Sequence, residues 1–240
     1  MGENESRIVQ GGCYHGHDNW WRFLKATGDK KGIRVPIAPE GWPFILAPVA
    51  LVILLGVLGW WKWALVFGLL ALFMAYFFRD PERVAPERPG AILSPADGKV
   101  VEIRDVNDHF VGAGRRVSIF LSPLDVHVNR APISGLVVGV EYRAGHFLPA
   151  YRAEASEVNE QATVRLQGQD FRVTVTQIAG VLARRVICRL AGGEKLEAGE
   201  RFGMIRFGSR VDVVLPPSVR IEARTGDRVR AGESIIGVLV

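Results

Sequence analysis

Three short segments of this chain set polar side chains in apolar, turn-forming surroundings. They are Leu93-Ser94-Pro95-Ala96-Asp97-Gly98, the run 122–132 (SPLDVHVNRAP), and Phe207-Gly208-Ser209-Arg210. Aspartate, histidine and serine are residue types of nucleophilic catalysis, in which a base takes the proton of an attacking hydroxyl. Taken singly, each also has an ordinary reading. Asp97-Gly98 is a turn pair, His127 a strand histidine with a satisfied partner, and Ser209 a loop hydroxyl. More explicit motifs are absent from the sequence: no glycine-rich phosphate loop leads into a helix, and there is no His-Glu-x-x-His, Cys-x-x-Cys or Gly-x-Ser-x-Gly.

The elements that must position these residues are mainly β. Beyond residue 90, short β-type runs are broken by glycine and proline, as in 116–121 (RVSIFL), 185–190 and 211–215. Runs 162–166 and 171–175 alternate on either side of Gly168-Gln169-Asp170, the pattern of a hairpin. Helical periodicity is weak there, with 153–159 the best local candidate. Segments 193–205 (GEKLEAGERFGMI) and 225–239 (TGDRVRAGESIIGVL) look alike, each with glycines around a charged turn and then an apolar strand. That pattern matches lipoyl- or biotinyl-carrier barrels, and equally two ordinary turns. The carrier function is not expected, because no lysine stands at a hairpin tip in the required setting. The expected fold class is mainly β, a barrel or sandwich with lipoyl-like repeats over 91–240, behind an N-terminal hydrophobic α-helical membrane hairpin.

The hairpin is read from two uncharged runs, 44–61 (FILAPVALVILLGVLGWW) and 63–78 (WALVFGLLALFMAYFF), separated by Lys62. As helices they would be about 27 and 24 Å long, just short of a bilayer core of about 30 Å. They lie too far into the chain for a cleaved signal peptide. Arg22, Lys25, Lys30, Lys31 and Arg34 precede them, and Arg79, Arg83 and Arg88 follow, so both ends are expected on the cytoplasmic side of the cell membrane. Trp60, Trp61, Lys62 and Trp63 would form the bend, and the runs either cross and return or dip in and come back. The hairpin is assigned to 36–78, a polar arm to 1–35, and a linker rich in proline and charge to 79–90.

Composition agrees with a folded chain: 48% of the 240 residues are hydrophobic and 23% charged. A net charge of +5 suits an anionic membrane surface as well as nucleic acid and by itself decides neither; no nucleic-acid partner is expected. Cys13 and Cys188 cannot build a disulfide framework or a structural zinc site by themselves. Cys13, His15, His17 and Asp18 cluster in the arm without a scaffold to hold ligands, so no metal is expected. Cys188, at an apolar strand position, reads as a buried inert thiol.

Taken together and in this order, the motifs resemble phosphatidylserine decarboxylase, in the short proenzyme form of bacteria and archaea. The resemblance runs from IAPEGWPFI at Ile37 through FFRDPER, LSPADGKV, SIFLSPLDVHVNRAP and AEASEVNEQ to RFGMIRFGSRVDVVLP, leaving the N-terminal arm unmatched. It implies self-cleavage at Gly208-Ser209. The serine hydroxyl attacks the preceding carbonyl and converts the amide to an ester. Elimination then frees the upstream chain, and the dehydroalanine left behind hydrolyses to a pyruvoyl group and ammonia. The products would be a β chain of 1–208 and an α chain of 209–240, which stay associated. Pyruvoyl, built from Ser209, condenses with the substrate amine and replaces pyridoxal phosphate as the electron sink.

The same resemblance assigns catalysis to Ser209 and Asp97, and His127 is the only histidine the matching motif offers. The long bacterial enzymes carry DYHRVHMP where this chain reads DVHVNRAP, so their second histidine is replaced by Arg130. His127 is therefore taken as the base. Arg130 and His146 are candidate contacts to the substrate, and Asp125 either orients His127 or caps a turn. The substrate would be phosphatidylserine in the membrane, decarboxylated to phosphatidylethanolamine. Archaetidylserine, or another serine-headed lipid, is an alternative, as is a non-catalytic membrane-anchored adaptor. Oligomeric state is left open, a homo-oligomer included.

Overall fold

The computed structural model describes residues 36–146, 148, 155–180, 185–206 and 208–240. The cysteine and histidines of the arm lie outside these residues. Two compact units are formed, residues 36–82 and Arg83–Val240.

The first unit is a pair of apolar helices, Trp42–Val57 and Trp61–Phe77, entered through a 3-10 turn at Pro39–Gly41. Pro43 stands near the first helix's start, where a missing N–H costs nothing. The chain reverses at Leu58-Gly59-Trp60, with Gly59 at φ 76°, and the Trp60 N–H bonds the Leu55 carbonyl at 2.8 Å. The bend thus precedes the Trp61-Lys62-Trp63 run, and Lys62 sits in the second helix's first turn. A glycine tolerates the left-handed conformation that ends a helix, and tryptophan does not. At the open end, Ala38 N–H bonds Phe78 O at 2.7 Å, and the rings of Phe44 and Phe78 stack at 5.4 Å. Ile53, Leu65 and Leu72 are more than 60% exposed. The stretch Pro39–Val57 is long and apolar enough to cross a membrane, and Trp61–Phe77 is shorter.

Among the described residues the second unit has fourteen strands and one short helix, Ala155–Val158. Its main sheet is antiparallel, in the order β13 (Arg228–Val229), β2 (Gly98–Asp108), β3 (Gly112–Leu121), β11 (Ser209–Leu215), β7 (Arg172–Ile178), β6 (Gln161–Gln167), β5 (Gly135–Arg143) and β9 (Lys195–Leu196). The sheet is open, with β13 and β9 as its edges, and does not close into a barrel. Two three-stranded sheets complete the unit. One is ordered β1 (Ala91–Leu93), β14 (Ile235–Leu239), β12 (Val219–Ile221); the other β4 (Val128–Arg130), β10 (Arg201–Ile205), β8 (Val186–Cys188).

The 162–175 hairpin forms as its alternation indicates, with Gln167 opposite Arg172. The two similar glycine-rich segments behave alike. Each gives a short first strand that edges the main sheet (β9, β13) and a second strand at the centre of a small sheet (β10, β14). Their turns meet, because a Cβ on Gly232 would stand 3.4 Å from Gly199 Cα.

Side-chain alternation divides the main sheet into two faces. Ile119, Leu121, Val211, Val213, Val175 and Val164 fill one and are at most 1% exposed. The other carries Glu102, Ser118, Arg210, Asp212 and Thr174. Gly98, which follows Asp97, has φ 149°, and a Cβ there would collide with the Phe120 carbonyl. Gly98→Ala should therefore cost about 2 kcal/mol or more, read as a fall in thermal midpoint of the uncleaved Ser209→Ala chain.

Candidate active site

Ser209 opens β11 and lies opposite Leu121 of β3. It is fully buried, and its Oγ has no hydrogen-bond partner among the described residues. An unpartnered buried hydroxyl costs about 1–3 kcal/mol, so its placement calls for a reason other than stability. Gly208, whose carbonyl the hydroxyl would attack, has φ 58°. A Cβ there would meet nothing within 4 Å, so conformation rather than space calls for glycine.

His127 stands just before β4 and is also fully buried. Its Nδ1 lies 2.9 Å from the Asp125 carbonyl oxygen. A carbonyl only accepts, so in the neutral ring Nδ1 carries the proton and Nε2 the lone pair. The Ile205 N–H bonds the His127 carbonyl at 3.3 Å, which sets the histidine beside the end of β10, three residues before Gly208. Asp125 uses its carboxylate to accept the Ser122 N–H at 2.8 Å, capping the turn, and its carbonyl to orient the ring.

Asp97 is nearly buried and doubly bonded. One oxygen accepts the Ala231 N–H at 2.8 Å and the other pairs with Arg83 at 2.8 Å. The Arg83 side chain is only 6% exposed and also reaches Glu233 at 3.5 Å. Asp97 and the His127 Nδ1 thus each bond another group. Arg130 is buried, with Nη1 donating to the Gly199 carbonyl at 3.1 Å and its stem against Gly232. His146 is exposed, its backbone bridged to Asn159. Cys188 is buried. No cluster of three His, Cys, Asp or Glu side chains suited to a metal occurs among the described residues.

Two polar groups join the site that the sequence reading did not single out. Gln177 on β7 is fully buried and donates through Nε2 to Asn129 Oδ1 at 2.8 Å. Asn129 in turn donates to the Pro95 carbonyl at 3.4 Å. The signal was a glutamine at an inward position of an alternating strand, VTVTQI.

On the opposite face, Arg210 donates to Asp212 at 2.6 Å, to Ser118 at 2.7 Å and to Glu102 at 3.1 Å. Burial disfavours the ionised form of Glu102. The Arg116 hydrogen bond, with the charges of Arg116, Arg104 and Arg210, outweighs this and holds the carboxyl below its usual range. A depressed carboxyl contributes stability above its unfolded value of about 4.3, and that stability is lost as pH falls through the folded value. Urea unfolding of the Ser209→Ala chain should therefore show an acid limb that shrinks in Glu102→Gln.

A family model described as phosphatidylserine decarboxylase matches residues 70–237. A phosphatidylserine decarboxylase proenzyme of Symbiobacterium thermophilum is 49% identical over 207 residues, 85% of this chain and 95% of that protein. One of Pelodictyon phaeoclathratiforme is 48% identical over 70% of this chain and 80% of its own length. One of Nitrosomonas europaea is 44% identical over 83% and 94%.

Proposed function

This chain belongs to the phosphatidylserine decarboxylase family, and on that premise we infer that it cuts its own backbone at Gly208-Ser209 and then removes CO2 from phosphatidylserine to give phosphatidylethanolamine. The observation that carries the cut site is the buried, unpartnered Ser209 hydroxyl directly behind a left-handed glycine. His127 Nε2 takes the hydroxyl proton as Oγ attacks the Gly208 carbonyl. The Asp97 carboxylate acts with it from the Arg83 pair, and Arg130 and His146 contact the anionic groups of the substrate.

A pyruvoyl group at position 209 supplies a carbonyl into which the electrons left by CO2 can pass. The residues present fit such a group. It would stand on the dry face of the sheet among Leu121, Val211 and Ile119, where water does not compete for a reactive carbonyl. The β and α chains stay together because 209–240 supplies β11 between β3 and β7, and pairs β13 with β2 and β14 with β1.

The apolar helix pair attaches the enzyme to the cell membrane as a hairpin, from the cytoplasmic side, where its lipid substrate lies. In this reading 1–35 is an arm, 36–78 the hairpin, 79–90 a linker and 91–240 the catalytic domain, whose repeats follow the lipoyl-like pattern.

A denaturing gel or intact-mass spectrum tests the central inference. The 26.4 kDa chain should give pieces of about 23 and 3.5 kDa, the smaller with a blocked N-terminus, and Ser209→Ala should stay whole and inactive. An intact wild-type chain that is active on phosphatidylserine would overturn it. His127→Ala and Asp97→Ala should slow the cut by about 10² to 10⁴, whereas Arg130→Ala should cut normally and turn over poorly. Normal processing of His127→Ala followed by loss of turnover would assign His127 to the later step instead.

Attachment has its own test. Deleting 44–78 should release a chain that still processes itself, and high salt should not release the full-length protein, because buried apolar area is insensitive to screening.

A further inference from the structure

Two buried polar atoms on the apolar face of the main sheet lack partners among the described residues: Ser209 Oγ and Gln177 Oε1. They lie on neighbouring strands. Gln177 stands opposite Val211 in the β7–β11 ladder, and Ser209 is two residues before Val211 on the same face. Such diagonal neighbours are about 7–8 Å apart at the backbone, within reach of a long side chain.

The orientation of the Gln177 amide is fixed from both sides. The Pro95 carbonyl can only accept, so it takes the Asn129 NH2 and turns Oδ1 towards Gln177. The Gln177 NH2 then faces Asn129 Oδ1 at 2.8 Å and the Ile187 carbonyl at 3.4 Å, both acceptors. Its oxygen is left as the outward end of the relay. Gly203 makes room for this, since a Cβ there would stand 2.9 Å from Gln177 Nε2.

We propose that Gln177 is a positioning residue for self-cleavage, its side-chain oxygen accepting the Ser209 hydroxyl hydrogen and so holding the oxygen's lone pairs towards the Gly208 carbonyl until His127 removes the proton. This rests on the self-cleavage reading above. An amide oxygen is too weak a base to take the proton itself, so it holds the hydroxyl until its single hydrogen turns from Gln177 to His127 Nε2. The relay also connects the three sequence motifs, from Pro95 through Asn129 and Gln177 to Ser209.

The test is the rate at which freshly translated full-length chain is cut, followed on a denaturing gel. Gln177→Met, which keeps length and volume but loses the acceptor, should slow cleavage about 10-fold. Gln177→Glu should stay close to wild type, because a buried carboxyl is held neutral and can both donate to Asn129 and accept from Ser209. Asn129→Leu leaves the acceptor in place but unsupported, and should fall between the two. Should Gln177→Met fail to fold, Gln177→Asn draws the same amide back by one methylene and should be slowed likewise. Cleavage of Gln177→Met within twofold of wild type would overturn the proposal. So would Asn129→Leu as slow as Gln177→Met, which would reduce Gln177 to a strut between sheets. If the wild-type chain itself never cuts, the self-cleavage reading fails and takes this inference with it; a wild type that cuts beside an equally fast Gln177→Met sinks this inference alone.

Discussion

The site depends on Ser209 entering the main sheet with its hydroxyl on the dry face. Strand side chains alternate, so a slip of one residue would exchange Ser209 with Arg210 and bury a guanidinium where the hydroxyl now stands. The register is held on both sides, by pairing of β11 with β3 from Ser209 to Leu215 and with β7 from Arg210 to Val214. The ionic cluster on the other face adds to this, because Arg210 finds Asp212, Glu102 and Ser118 only in this register. Charges and proposed nucleophile are one residue apart in sequence and separated by the thickness of the sheet.

That arrangement would also let the proposed cut be made here without loss of the fold. β10 ends at Ile205 in a small sheet and β11 begins at Ser209 in the large one, so the bond at 208–209 spans a change of sheet and interrupts no ladder. Elements before and after the bond are already joined. β2 and β3 precede it and hold β13 and β11, which follow it, while Asp97 and Arg83 hold Ala231 and Glu233. A nick therefore frees two chain ends while the surrounding contacts persist.

Much of this was legible in the sequence, where the signal was local. The hairpin at 161–178 follows from alternation around Gly168-Gln169-Asp170, and the helix pair from two uncharged runs. The bend falls at Leu58-Gly59-Trp60, earlier than the tryptophan run suggests, because the glycine at 59 takes the left-handed conformation that ends the helix. The paired glycine-rich segments gave their strands, but not that each would divide between an edge and a separate sheet, since partner choice depends on residues far away in the chain. For the same reason Arg83 read as part of a charged linker and Gln177 as one strand residue among many. Neither acquires a role until the fold brings Asp97, or Asn129, beside it.

The departure at position 130 has a physical account in the same geometry. A catalytic histidine usually needs a carboxylate to fix its tautomer. Here the Asp125 carbonyl, two residues away, does so for His127 at 2.9 Å, with Nε2 as the proposed base. Asp97 then accepts a different load, an arginine from one side of the cut and a backbone N–H from the other. Position 130 need not hold a second imidazole under these conditions. Its arginine donates to the Gly199 carbonyl and lies against Gly232, where the two similar turns meet. On this account the proposed base is the histidine that the Asp125 carbonyl orients.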